Sequence, residues 1–221
     1  MRNEYELRLA RESDLDGILG LIAGASAWLA GKGTDQWQRP WPDRPARDAR
    51  IRAAIRAGKT WVLADGDVAV ATLTADWQGY PARGLPELWS PEECAEPAVY
   101  AHRMAVRRGA EYQGRGFGGQ LLDTVGRLGL CAYGAEHVRL DAWSTNYDLH
   151  TYYKGRGFDL VRIYDEEEID CPSGALFQKP AARFRDTAAA FAVNSADAGK
   201  WSAHANAARV AEQRQAAGTE Q

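Results

Sequence analysis

Gln113-Gly114-Arg115-Gly116-Phe117-Gly118-Gly119 stands between a strand-like run at 99–106 and a strongly apolar helical pattern. That order of strand, glycine turn and helix start narrows what the chain can become. Glycines take left-handed backbone conformations readily and let a ligand come close to the main chain. At the start of a helix the first N–H groups lack internal partners, and the positive end of the helix dipole adds to them. Both point at one spot, which suits an anion such as a diphosphate. A glycine-rich loop alone is weak evidence. Here a second element lies downstream, with Asn146, Tyr153, Gly157 and Phe158, and the pair is far more specific than either part.

Of the 221 residues, 45% are hydrophobic and 26% charged, which suffices for a buried core and rules out a wholly disordered chain. The length suits one domain with an appendage. No apolar run approaches the ~20 residues of a membrane span. The start, Met1-Arg2-Asn3-Glu4-Tyr5-Glu6, lacks the apolar stretch of a secretory signal. Cys94, Cys131 and Cys171 are an odd set without metal-ligand spacing, which predicts reduced thiols, a cytoplasmic protein and no metal. A net charge of -3 gives no general pull toward nucleic acid, so neither nucleic acid nor membrane is an expected partner.

Alternation over residues 5–9 predicts a first strand, and Ser13 is placed to cap a helix carrying Leu15, Ile18, Leu19 and Ile22. Gly31 and Gly33 end that helix, 34–42 reads as a loop, and Ile51 and Ile55 mark a short basic helix over 46–57. Strands at 60–64 and 68–75 flank Asp65-Gly66-Asp67, a hairpin turn sequence. Pro81, Pro86, Pro91 and Pro97 make 77–97 an insertion. A strand at 98–106, a helix at 117–133, a strand at 137–143, a helix at 147–155 and strands at 158–164 and 175–178 follow. Phe117, Leu121 and Val125 share one face of their helix. The alanine-rich end, anchored by Phe184, Phe191, Val193 and Trp201, reads as a helical extension packing on the domain or a partner. The expected organisation is an α+β domain at 1–180 and an extension at 181–221.

This element order and the two motifs resemble the GNAT-type N-acetyltransferases over roughly residues 5–179. Residues 99–106 are similar to that family's fourth strand, and 113–118 fit its Gln/Arg-x-x-Gly-x-Gly/Ala loop. The resemblance implies a mixed, mostly antiparallel sheet of six to seven strands with helices on both faces. Its fourth and fifth strands would be parallel and splay apart, with acetyl-CoA as co-substrate in the opening. Main-chain groups of Met104 and Val106 would bond the pantetheine arm. Amides of Arg115, Gly116, Gly118 and Gly119, in the loop begun by Gln113 and Gly114, would receive the diphosphate. Arg107, Arg108 and Arg115 offer charge-assisted contacts to phosphates. Asn146 would bond the pantetheine arm, cap the next helix, or both.

Acylation of a small-molecule primary amine needs a neutral nucleophile, a stabilised oxyanion and a partner for the departing thiolate. The resemblance implies that the N–H of Met104 meets the carbonyl oxygen. It also makes Tyr153, five residues before Phe158, the acid, with Tyr152 a core aromatic beside it. His102 lies on the strand lining the cleft with the parity of Met104, and a neutral imidazole suits a base. Asp141, sharing a face with Trp143, is a second candidate, to bind the ammonium or orient His102. The alternative for Asp141 is an ion pair with Arg103 or Arg139.

Acceptor specificity would sit in the segments that hold Trp37, Trp41, Trp77 and Trp89, which either wall the acceptor or pin long loops. Glu87, Glu92, Glu93 and Glu96 against Arg83 suggest an acidic lip for a cationic amine, while residues 39–59 are strongly basic. These signals oppose each other. Other readings are an acyltransferase with a different donor, such as an aminoacyl-tRNA, and a non-catalytic acyl-CoA-binding module. A homodimer through the C-terminal extension is a further arrangement it allows.

Overall fold

The turn sequence Asp65-Gly66-Asp67 joins β2 (Thr60–Asp65) to β3 (Val68–Asp76) as an antiparallel hairpin, with Gly66 at φ 58°. In this computed structural model, residues 5–77, 88–187 and 191–218 are described. The hairpin is buried on both faces, which is why it reads as nearly continuous apolar sequence. Around it stand β1 (Glu6–Leu9), β4 (Ala98–Val106), β5 (His137–Ala142), β6 (Asp159–Ile163), β7 (Ala175–Pro180) and β8 (Ala192–Val193). The sheet order is β6-β7-β5-β4-β3-β2-β1-β8, with β4 parallel to β5, β1 parallel to β8, and the other pairs antiparallel. The α+β architecture with a parallel central pair is as expected, but among the described residues the sheet has eight strands, not six or seven.

Helices cover both faces. On one, α1 (Leu15–Ala30) and α2 (Arg44–Arg56) pack Ile18, Ile22, Ile51 and Ile55 onto Val62 and Ala105. On the other, α4 (Phe117–Leu128) and α7 (Ser195–Gly218) bury Leu121, Val125 and Trp201 with Trp61, Leu63 and Val99. Shorter helices are α3 (Pro91–Ala95), α5 (Tyr147–Gly155) and α6 (Glu166–Ile169).

Three local readings differ. Ser13 does not cap α1: a 3-10 turn precedes the helix and Asp14 stands at its start. The Asp14 carboxylate accepts from the Arg8 guanidinium at 2.7 and 2.8 Å and from the Arg11 N–H at 2.7 Å. A half-buried arginine on β1 thereby gains its counter-charge. The helix expected to run to 133 is α-helical to Leu128 and continues as a wider π turn over Gly129–Tyr133. It crosses β4 there so closely that a Cβ on Gly129 would lie 2.6 Å from Val99 Cγ2. The extension is not purely helical, since Ala192–Val193 adds the edge strand β8 beside β1. The fully buried Trp201 then fits between Trp61 and Trp77, with ring centroids 6.4 and 5.6 Å away. For Trp77, pinning the fold is thus the observed role.

The feature that shapes the site is in β4. It pairs with β5 only over 98–101 opposite 137–140, after which β5 stays with β7 as far as Ala142↔Ala175. From His102 to Val106, β4 follows β3 instead. Between Thr74↔His102 and Thr72↔Ala105 the register slips, so Arg103 and Met104 both stand opposite Leu73, with Arg103 at φ 50°. Such a bulge bends its strand and shifts the side-chain alternation. Hence His102 does not share the face of Met104, contrary to the simple period. Met104 and Val106 join Val99 and Ala101 on the α4 side, whereas His102 stacks beside Tyr100, interplanar angle 4°, on the other.

Replacing Trp201 with Ala should remove about 3–5 kcal/mol of stability. Chemical denaturation would read it, and an unchanged midpoint would show that α7 merely rests on the domain.

Candidate active site

The divergence of β4 and β5 opens a cleft of about 580 Å³ that runs from Gln113, Gly114, Gly116 and Gly118 to Trp37, Trp41 and Pro172. At one end, Gly114 and Gly116 take φ 77° and 71°, the left-handed conformations that glycine adopts at least cost. Gly116 is the N-cap of α4, and the first intrahelical bond is Gln120 N–H to Gly116 O at 3.1 Å. The N–H groups ahead of it are the ones a helix start leaves for an outside acceptor. Phe117 anchors this turn in the core against Tyr5 and Phe191.

Gly118 and Gly119 are glycines for different reasons. A Cβ on Gly118 would meet Met104 Sδ and Cε at 3.4 Å and the Tyr152 hydroxyl at 3.6 Å, at the cleft floor. A Cβ on Gly119 would overlap the guanidinium of Arg156, which donates to Gly119 O at 3.2 Å and to Asp123 at 2.5 Å. Arg115 is exposed and donates to the Tyr5 hydroxyl at 3.2 Å. Arg107 donates to Ala69 O at 2.8 Å, and the Arg108 guanidinium lies 3.9 Å over the Trp28 ring.

Along the cleft wall, the Arg107 N–H donates to Val70 O on β3 at 2.7 Å. Main-chain groups alternate direction along a strand. Val106 and Met104 therefore turn theirs toward the gap that β5 has left. These donors and acceptors, with the α4 start at one end, fit the extended amide chain and diphosphate of an acyl-CoA.

Midway, His102 Nδ1 and Asp141 Oδ1 are 2.6 Å apart. Asp141 thus takes His102 as partner, and the expected alternative of an arginine is not what forms. Arg139 instead holds the Glu96 carboxylate and stacks over Trp89 at 4.6 Å. Both line the cleft, but the His102 side chain is 2% exposed and that of Asp141 16%, so the carboxyl is the more accessible member. Burial pushes the Asp141 carboxyl up to about 8, against the lowering effect of hydrogen bonds from its own backbone and from Ser173. Tyr153 is buried among Tyr152, Phe158 and Phe177, with its ring at the cleft. Burial, then the neighbouring Tyr152 and Asp141, push its phenol well above the usual range. Tyr152 corrects the sequence reading: it is 39% exposed and lines the cleft, because α5 turns its two adjacent tyrosines to different sides.

Asn146 caps α5, its Oδ1 accepting from Leu149 N–H at 3.0 Å, while its Nδ2 donates to Gln36 Oε1 at 2.5 Å. Next to it, Trp143 Nε1 and Thr145 Oγ1 each donate to Asp35 Oδ1 at 2.9 Å. The loop after α1 is thereby tied to the end of β5. Gln36 and Asp35 carry no signal in the sequence, being more than a hundred residues from their partners.

The acidic lip does not stand as expected. Glu93 pairs with Arg162 at 2.5 Å and Glu96 with Arg139, so both serve to brace β5 and β6. Glu87 and Arg83 lie outside the described residues. Trp89 packs on Tyr100 at 6.3 Å, whereas Trp37 and Trp41 line the cleft. Among the described residues no group of His, Cys, Asp or Glu is arranged to hold a metal, and no helix is long and apolar enough to cross a membrane.

A mixed sheet parted between two parallel strands, with a glycine turn and helix start at the mouth, defines an acyl-transfer architecture. Residues 29–158 match the acetyltransferase (GNAT) family model, and the chain belongs to that family, whose members use acetyl-CoA as co-substrate. Over 149 residues it is 26% identical to the uncharacterized N-acetyltransferase YesJ of Bacillus subtilis (strain 168), covering 67% of this chain and 78% of that protein. Its fold is similar to GNAT acetyltransferases from Listeria monocytogenes 4b F2365 (TM-score 0.61, 20% identity) and Streptococcus agalactiae 2603 (TM-score 0.59, 19% identity). Each match covers 80% of this chain, and 94% and 95% of those chains respectively.

Replacing Gly119 with Ala should push the tip of the Arg156 side chain aside, loosen its pairing with Asp123 and cost about 1 kcal/mol of stability or less. Thermal unfolding without ligand would read the loss; a drop of several kcal/mol would show that Arg156 cannot move aside.

Proposed function

We propose that this protein transfers the acetyl group of acetyl-CoA to the primary amine of a small molecule, the amine attacking the thioester directly. The observation that carries this reading is the parting of β4 from β5 beyond Ala101 and Leu140, with the α4 start at one end and Asp141 at its side. Residues 1–180 would be the catalytic unit and 181–221 its brace.

Acetyl-CoA supplies an acyl group on a good leaving thiolate. Amides of residues 114–119 hold the diphosphate, with Gln113 beside them, and main-chain groups of Met104 and Val106 hold the pantetheine arm. The Met104 N–H also faces the carbonyl oxygen as negative charge develops there. Asn146 contributes by holding α5 and the loop at Gln36 in place. As the amine nitrogen bonds the carbonyl carbon and the carbon–sulfur bond breaks, the amine must lose a proton. Asp141, its carboxyl pushed up to about 8 by burial and backed by His102, is the acceptor once ionised, so the two act as one unit.

Tyr153 acts as a hydrogen-bond donor to the departing thiolate. A thiol has pKa ~8.5 and this phenol lies far above that, so full proton transfer from it is uphill. A hydrogen bond to a charged group contributes about 1.5–3 kcal/mol. Tyr153→Phe should therefore lower kcat about 10- to 100-fold with acetyl-CoA affinity unchanged, and steady-state kinetics with unaltered kcat would remove the role.

The raised pKa of Asp141 sets the pH dependence. Below about 8 the carboxyl is protonated and cannot take the amine proton; above it the carboxylate forms. Turnover should rise through that region with an acceptor whose own pKa lies far from it. Asp141→Asn should flatten the profile and lower the rate about 100-fold or more. An identical profile in that variant would exclude Asp141 as the base.

A further inference from the structure

The acyl-transfer chemistry leaves one cluster in the cleft without a task. Arg39, from the loop after α1, and Arg47 and Arg50, from α2, line the end of the cleft that holds Trp41, Trp143 and Pro172. The Arg50 guanidinium donates to Trp41 O and lies 5.2 Å over the Trp41 ring. Arg47 is braced by Asp48 at 2.6 Å. Two of the three guanidiniums are thus held in place, which lowers the ordering cost of pairing with an anion. A hollow of about 170 Å³ adjoins them, sharing Arg39, Trp41, Trp143 and Pro172 with the main cleft.

The donor's phosphates do not account for this cluster, because the glycine turn, Arg107 and Arg108 lie at the other end. A polycationic acceptor is not served either. The acids among the described lining residues are Asp141 and Asp148, and burial holds Asp141 neutral to about 8. Asp35, beside the hollow, is engaged by Trp143 and Thr145. Among the residues lining that end, a second ammonium would meet three guanidiniums against two carboxylates, Asp35 and Glu166 of the hollow, so the local excess of charge is positive.

We propose that the acceptor amine also carries an anionic group, a carboxylate or a phosphate, which docks among Arg39, Arg47 and Arg50 beside Trp41 while the amine faces Asp141. This rests on the acetyl-transfer reading above. Planar guanidiniums pair with either anion in two-pronged fashion, and the Trp41 face covers the apolar part of the same molecule.

The test compares matched acceptors with acetyl-CoA: an α-amino acid, its carboxamide and its decarboxylated amine, then an amino sugar and its phosphate ester. In one of the sets the anionic member should show kcat/KM about tenfold or more above its neutral partner. Whichever set does so decides between carboxylate and phosphate. Arg39→Ala combined with Arg47→Gln should abolish that preference and leave the KM for acetyl-CoA unchanged. Neutral or dicationic amines used as well as anionic ones, with acetyl-CoA consumed, would overturn the proposal and leave acetyl transfer standing. A second measurement needs no turnover: inorganic phosphate and acetate titrated calorimetrically into the protein saturated with coenzyme A. Saturable binding by either ion, weakened about fivefold in the double variant, supports the site. No saturable binding, or equal binding in that variant, overturns it; coenzyme A failing to bind would sink the acetyl-transfer reading itself.

Discussion

The extra residue in β4 is the constraint on which the rest depends. Two residues, Arg103 and Met104, span the space of one on β3, and Arg103 takes a positive φ to do so. For a residue with a bulky side chain such a backbone costs of order 1 kcal/mol or more, and it persists only where the surroundings hold it. Here they do, because β2 and β3 are buried on both faces and cannot shift to relieve it. β4 is thereby committed to β3 while β5 is committed to β7, and the gap between them exposes main-chain groups inside an otherwise closed core. The same slip separates His102 from Met104, sending the imidazole to Asp141 and the thioether to the glycine turn.

What keeps the gap open is equally physical. On one side, α4 comes close to its neighbours because glycines remove the obstructing side chains: a Cβ on Gly126 would lie 2.6 Å from the Phe184 ring. On the other, the loop after α1 is tied through Asp35 and Gln36 to Trp143, Thr145 and Asn146. Since Asn146 also caps α5, the loop facing the acceptor and the helix carrying Tyr153 share one fixed point. The C-terminal extension backs this from behind, with Trp201 locking the hairpin and β8 covering the far edge of β1.

Much of this was legible in the residues. The glycine turn before an apolar helix, the hairpin at Gly66, the helix starting after Asn146 and the apolar anchors of the extension all arise from local chemistry, and local chemistry is written in short windows. The bulge was not legible, because Ala101-His102-Arg103-Met104-Ala105 carries no break in pattern and the slip is imposed by pairing with Leu73. Tyr152 and Tyr153 are chemically alike, and only helix orientation leaves one exposed over the cleft and the other buried at its wall. The acidic segment read as a lip because its arginine partners, Arg139 and Arg162, lie far along the chain.

By itself the sequence determined which segments could be strands and helices, where an anion could meet a helix start, and which family the chain resembles. Those depend on residue spacing and backbone preference, which act over a few positions. The tertiary structure alone decided where the sheet parts, that Asp141 is more accessible from the cleft than His102, and that three arginines and Trp41 gather at its far end. These follow from strand pairing and packing between distant segments, where burial and charge are set by neighbours that no local window contains.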